Sequence, residues 1–142
     1  MDLFFYFLKN LQKPRRRKRA SSSLERKKYL KFKESAEILI RKRVLEINEF
    51  YQFPFGKITI RNQKTRWGSC SKSGNLNFNY KIALLPRLYM DYVISHELCH
   101  LKEFNHSKNF WDLVEKTIPD YRKIRKTIRR LNIDHKKPVD PL

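Results

Sequence analysis

Acidic residues are scarce in this chain of 142 residues: 14 Asp and Glu stand against 33 Lys and Arg, a net charge of +19. That imbalance speaks to partners and solubility and leaves the fold open. Cysteine is nearly missing. Cys70 and Cys99 lie far apart and form no Cys-x-x-Cys pair, which argues against a disulfide framework and fits a reducing cytoplasm. Long apolar runs are missing as well. The opening MDLFFYFLKN is apolar only from Leu3 to Leu8, too short for a transmembrane segment, and it carries Asp2 where a signal peptide would be positive. It reads as a short amphipathic or docking segment able to touch a membrane surface. No internal repeat is visible. The remaining composition, 40% hydrophobic and 13% aromatic, supports one domain with its own core.

Charge divides the chain. Residues 13–33 hold eleven basic residues and one acid, Glu25, around a serine run. Such a block repels itself and offers little to bury, so residues 1–33 are expected to form a flexible basic arm. From Glu34 the spacing of Ala36, Ile38, Leu39, Ile40, Val44, Leu45, Ile47 and Phe50 predicts a helix. Lys57–Arg61, Trp67–Cys70 and Leu76–Asn79 read as strands, the last two joined as a hairpin through SKSGN. Pro86 opens a helix over about Arg87–Lys102, with Leu88, Val93, Ile94, Leu98 and Leu101 on its apolar side. Ser107 can cap a further helix carrying Phe110, Trp111, Val114 and Ile118, which Pro119 ends. Tyr121, Ile124, Ile128 and Leu131 mark a last amphipathic helix with a basic outer face. The expected fold is α+β: an N-terminal helix, a short three-stranded antiparallel-type sheet, then three helices, over residues 34–133, with a loose tail at 134–142.

Histidine is also rare, and its placement is uneven. Three of the four histidines lie in HELCHLKEFNH, residues 96–106. On a helix, residues four apart project from one side one turn apart, so His96 and His100 can share a cation while Glu97 lies beside them. The mechanics of His-Glu-x-x-His are zinc ligation by the histidines and general-base work by the glutamate. A single His-Glu-x-x-His also arises by chance, but two histidines and a glutamate on an apolar helix are poor core residues without a ligand. On an unbroken helix His106 would sit about 240° around from His100 and about 9 Å along. KEFN must therefore end the helix, and Asn105 is the residue most tolerant of a left-handed turn there. The metzincin pattern shares the histidine spacing but needs glycine at Glu103 and a later Met-turn, whereas no methionine follows Met90.

RWGSCSKSGNLNFNYKIALLP, DYVISHELCHLKEFNHSKNFW and IPDY together closely resemble the YgjP-like metallopeptidase domain, a relative of the SprT-like zincins. The resemblance runs from about Tyr29 to Asn132. It implies a small zincin-like domain, one Zn2+ per chain on His96, His100 and His106, and Glu97 as the catalytic glutamate. The chain departs from longer members in lacking an N-terminal β-rich region and in carrying RRLN where many have Trp-Leu. Both departures bear on substrate binding more than on chemistry.

Other residues carry weaker signals. Asn105 and Ser107 are expected to shape the turn holding His106, with Asn105 a neighbour of the site. Trp67 is expected to pack against the active helix, on a strand whose edge could take an extended peptide. Arg66, Tyr80 and Tyr89 are candidates for stabilising an oxyanion. Glu115 is a minor candidate ligand, Cys70 and Cys99 read as packing residues, and His135 falls in the tail. The leading expectation is a zinc-dependent peptidase acting on protein or peptide in the cytoplasm. The alternative is a nucleic-acid-binding protein with a structural or vestigial zinc site, suggested by the basic arm and the last helix. Composition leaves the oligomeric state open.

Overall fold

The computed structural model describes residues 18–131; the segment 3–8, the start of the basic arm, the 134–142 tail and His135 lie outside them. Helix α1 (Lys18–Tyr51) begins well before Glu34. Its inner face is Ala36, Ile40, Val44, Ile47 and Tyr51, all buried, at helical spacings of four and three. Ile38, Leu39, Leu45 and Phe50, expected inside, are exposed because they fall off that stripe. The upstream turns are helical although rich in charge, because three side chains tie them to the body. Glu25 Oε2 meets Lys81 Nζ at 3.1 Å, Tyr29 sets its ring edge-on to Tyr80, and Phe32 packs on the core. The helix ends on Gln52, in a left-handed conformation at φ 54°, while Asn48 exchanges two hydrogen bonds with the backbone of Phe53.

The strands are β1 (Ile58–Arg61), β2 (Gly68–Cys70) and β3 (Leu76–Asn79), in the order β1-β3-β2. β2 and β3 form the expected antiparallel hairpin, with Gly68 opposite Phe78 and Cys70 opposite Leu76. β1 instead runs parallel to β3, so the sheet is mixed. Asn79 then caps a 3-10 helix, Tyr80–Leu84, that the periodicity does not announce. Its buried side chain accepts from the Lys81 amide and donates to the Gln63 and Arg66 carbonyls, which pins the loop leading into β2.

Helix α2 (Arg87–Cys99) follows Pro86 and is buried without interruption from Tyr92 to Cys99. A helical segment enclosed on every side is the centre of its domain, and here α1, β2, α3 and α4 all pack on this helix. Leu88, placed inside by its spacing, is exposed in the first turn. Arg43 clamps α1 to α2, its Nε and Nη2 donating to the two Asp91 carboxylate oxygens at 2.6 and 2.8 Å. Helices α3 (Lys108–Thr117) and α4 (Tyr121–Arg130) close the fold and bury Phe110, Val114, Ile118, Tyr121, Ile124, Ile128 and Leu131.

Candidate metal centre

α2 stops at Cys99, a turn earlier than its apolar spacing suggests, and His100 is its C-cap. The chain folds back through tight turns, with the Leu101 amide bonded to the Leu98 carbonyl and the Lys102 and Glu103 amides to the Cys99 carbonyl. Asn105 is exposed and does not adopt a positive φ, so no left-handed residue makes this reversal. The early helix end does the work assigned to it. Ser107 then caps α3, its Oγ accepting from the Phe110 amide.

These local events bring His96, His100 and His106 together. His96 Nε2 lies 3.1 Å from His100 Nε2 and 3.1 Å from His106 Nε2. Three ring nitrogens on a tetrahedral zinc at about 2.05 Å would be about 3.3 Å apart, close to this spacing. The donor set therefore fits the metal. His100 Nδ1 lies 3.0 Å from the Glu103 carbonyl, a bond that puts the proton on Nδ1 and leaves Nε2 free as a ligand. Burial depresses the basicity of His96 well below the usual histidine range, helped by His100, His106 and the Arg125 charge. Burial also lowers His100, against the opposing Glu103 bond. Neutral imidazole is the form a metal needs.

An aromatic shell backs the three histidines. Phe110 is fully buried, with its ring centroid 4.7, 4.5 and 4.9 Å from those of His96, His100 and His106. Trp111 stacks on His106 on one side and on Tyr121 nearby, and the Arg125 guanidinium lies 4.6 Å over its ring. The Phe-Trp pair after the Ser107 cap reads from sequence as ordinary core, and its contact with all three histidines becomes visible only once the 101–106 turn is placed.

Glu97 is buried at 2% exposure, and its Oε1 has no hydrogen-bond partner among the described residues. Burial pushes its pKa up to about 8, opposed by the charge of Arg66. A buried carboxyl oxygen with nothing to bond is costly in an ordinary core, which marks Glu97 as a candidate functional residue. Its neighbour is the backbone of β2: a Cβ on Gly68 would lie 2.8 Å from Oε1. Sequence reasoning passed over Gly68, although a glycine inside a strand is itself a signal of close approach.

The remaining candidates scatter. Trp67 is buried in the core just before β2, which packs on α2. Arg66 is exposed, close enough for its charge to act on Glu97. Tyr80 is buried under α1 against Tyr29, and Tyr89 is half-buried at the start of α2. Glu115 is exposed, paired with Arg122 at 3.8 Å, and does not join the histidines. Cys70 and Cys99 are free thiols, both pushed to about 11 chiefly by burial.

A family model described as YgjP-like, metallopeptidase domain, matches residues 7–131. Two solved structures are similar. The metallopeptidase zymogen abylysin of Pyrococcus abyssi is 27% identical with a TM-score of 0.58, over 64% of this chain and 92% of that one. The metallopeptidase zymogen jannalysin of Methanocaldococcus jannaschii is 26% identical with a TM-score of 0.56, over 64% of this chain and 94% of that one. No curated protein matches the chain.

Proposed function

Since the chain belongs to the YgjP-like metallopeptidase domain family, we propose that it is a zinc-dependent peptidase with His96, His100 and His106 as ligands and Glu97 as general base. The observation that carries this is the convergence of three imidazole Nε2 atoms at the end of the helix that carries Glu97, a buried carboxyl whose Oε1 has no hydrogen-bond partner among the described residues. Zinc bound there would acidify a water and polarise the scissile carbonyl. Glu97 takes the proton from the attacking water and hands it to the departing amine. The Glu103 carbonyl holds the His100 ring in its tautomer, and Phe110 and Trp111 exclude water behind the ligands.

β2 is an edge strand bonded to β3 on one side, and its free edge beside Glu97 suits an extended peptide. Arg66 stands at that rim as the cation available to an oxyanion. Free thiols favour a cytoplasmic setting. A structural zinc would be closed by a fourth protein ligand, yet among the described residues only three gather, and Glu97 would then have no task. The charge supports an added role for the basic surface. Arg122, Lys123, Lys126, Arg129 and Arg130 are all exposed on α4 and suit contact with the phosphates of nucleic acid.

Glu97→Gln tests the base. The amide keeps the shape but accepts no proton, so zinc content and fold should persist while hydrolysis of unfolded protein substrates falls by at least about 100-fold. Wild-type turnover in that variant would remove Glu97 from the chemistry.

A further inference from the structure

Glycine at position 68 has no backbone reason to be there. Gly68 lies in β2, paired opposite Phe78, and among the described glycines only Gly74 has a positive φ. In a strand, glycine forfeits packing and loses more chain entropy than other residues. Its one distinctive feature is what lies against it. A Cβ built at Gly68 would meet Glu97 at Oε1 (2.8 Å), Cγ (2.9 Å) and Cδ (3.1 Å), almost the whole length of that side chain. The glutamate cannot swing away freely, because it is 2% exposed on a helix buried on every side.

Resting on the peptidase reading, we infer that Gly68 is a positioning residue: the space left by its missing side chain is the seat that fixes the Glu97 carboxylate for proton transfer. The side chain of Glu97 lies along the β2 backbone as a knob lies in a groove. One methyl group would fill the groove. Restoring ordinary contact would need a shift of the carboxylate by about 1 Å, a displacement that can cost about 100-fold in rate when it falls on a reacting group. The ligand histidines lie elsewhere on α2 and in the following turn, with no contact at Gly68 closer than Glu97. The metal should therefore stay.

The experiment uses the full chain and four proteins: wild type, Gly68→Ala, Glu97→Ala and the double variant, each loaded with zinc. Gly68→Ala should bind one zinc per chain and lose about 100-fold in kcat with KM changed less than about threefold. Its melting temperature should fall in the wild-type background and not in the Glu97→Ala background, where the space is free. A wild-type kcat in Gly68→Ala, or a loss confined to KM, overturns the assignment. An equal fall in melting temperature in both backgrounds also overturns it, because the methyl group would then be clashing with something other than Glu97. The melting comparison needs no substrate, so it still judges the seat if the wild type hydrolyses nothing. That second result would sink the peptidase reading and, with it, the role of Gly68 in turnover.

Discussion

Replacing Phe110 by alanine should weaken the fold and the metal site together, by amounts that can be separated. The ring is fully buried and packs within 4.9 Å, centroid to centroid, of all three candidate ligands. Loss of a buried phenylalanine costs about 3–5 kcal/mol through lost transfer energy and the cavity left behind. Against a total stability of about 5–15 kcal/mol, the metal-free variant should be marginal but measurable. The second effect concerns zinc. Without the ring the imidazoles gain freedom, and loss of support around ligands typically costs about 10–100-fold in affinity. By linkage, the extra stability that a fixed excess of zinc confers should then shrink by about 1.4–2.7 kcal/mol. Urea unfolding with and without zinc, alongside chelator competition, reads both quantities, and Phe110→Leu serves as the control that fills most of the cavity. Wild-type zinc affinity in Phe110→Ala, despite lost stability, would refute the reasoning. The histidines would then be held by backbone, the His100–Glu103 bond and the Trp111 ring.

His106→Ala should reduce zinc retained after dialysis from about one per chain to a small fraction, because two imidazoles rarely hold the ion against buffer; an unchanged ratio by elemental analysis would remove His106 from the site. Cys70 and Cys99 should resist alkylation at pH 7.5, reacting about 100-fold more slowly than in urea, because burial keeps both thiols protonated up to about pH 11. Their labelling should rise steeply above pH 10 in the folded protein, and rapid labelling of either one at pH 7.5, followed by mass spectrometry, would contradict the burial.

Local signals carried much of the site and missed its supports. His-Glu-x-x-His, the break before His106 and the Ser107 cap are short-range patterns; the three histidines gather and Ser107 caps α3. The turn itself was legible only as a necessity. Asn105 was favoured because its type tolerates a left-handed conformation, but α2 simply ends early, and no residue preference marks that. The parallel pairing of β1 with β3 is a long-range choice that alternation within five residues does not encode. Gly68 was readable as an oddity in a strand, but its reason lies on α2, nearly thirty residues away. Phe110 and Trp111 show the same limit: an inward apolar residue is recognisable, whereas what it touches is not.

Residues 18–33 show how charge counting fails. They are helical because a few anchors outweigh the repulsion among exposed Arg26, Lys27, Lys31 and Lys33. Tyr29 rests on Tyr80 at 5.3 Å, its hydroxyl donates to the Ile60 carbonyl at 3.4 Å, and Glu25 pairs with Lys81, which is itself buried. A chain beginning at Glu34 would uncover Tyr80, Ile60 and the 3-10 helix and leave the Lys81 ammonium without its carboxylate. The lost pair should cost at most about 1 kcal/mol, because Glu25 is 39% exposed and the truncation opens Lys81 to water. Loss of the Tyr29–Tyr80 contact adds about 1 kcal/mol beyond its buried area. A chain beginning at Lys18 retains these anchors and should unfold in urea at nearly the midpoint of the full chain, whereas one beginning at Glu34 should unfold several kcal/mol sooner. Glu25→Gln alone should reproduce the smaller part of that loss. Equal midpoints for the 18 and 34 starts would mean that the anchors contribute nothing and that residues 18–33 are, after all, only an arm.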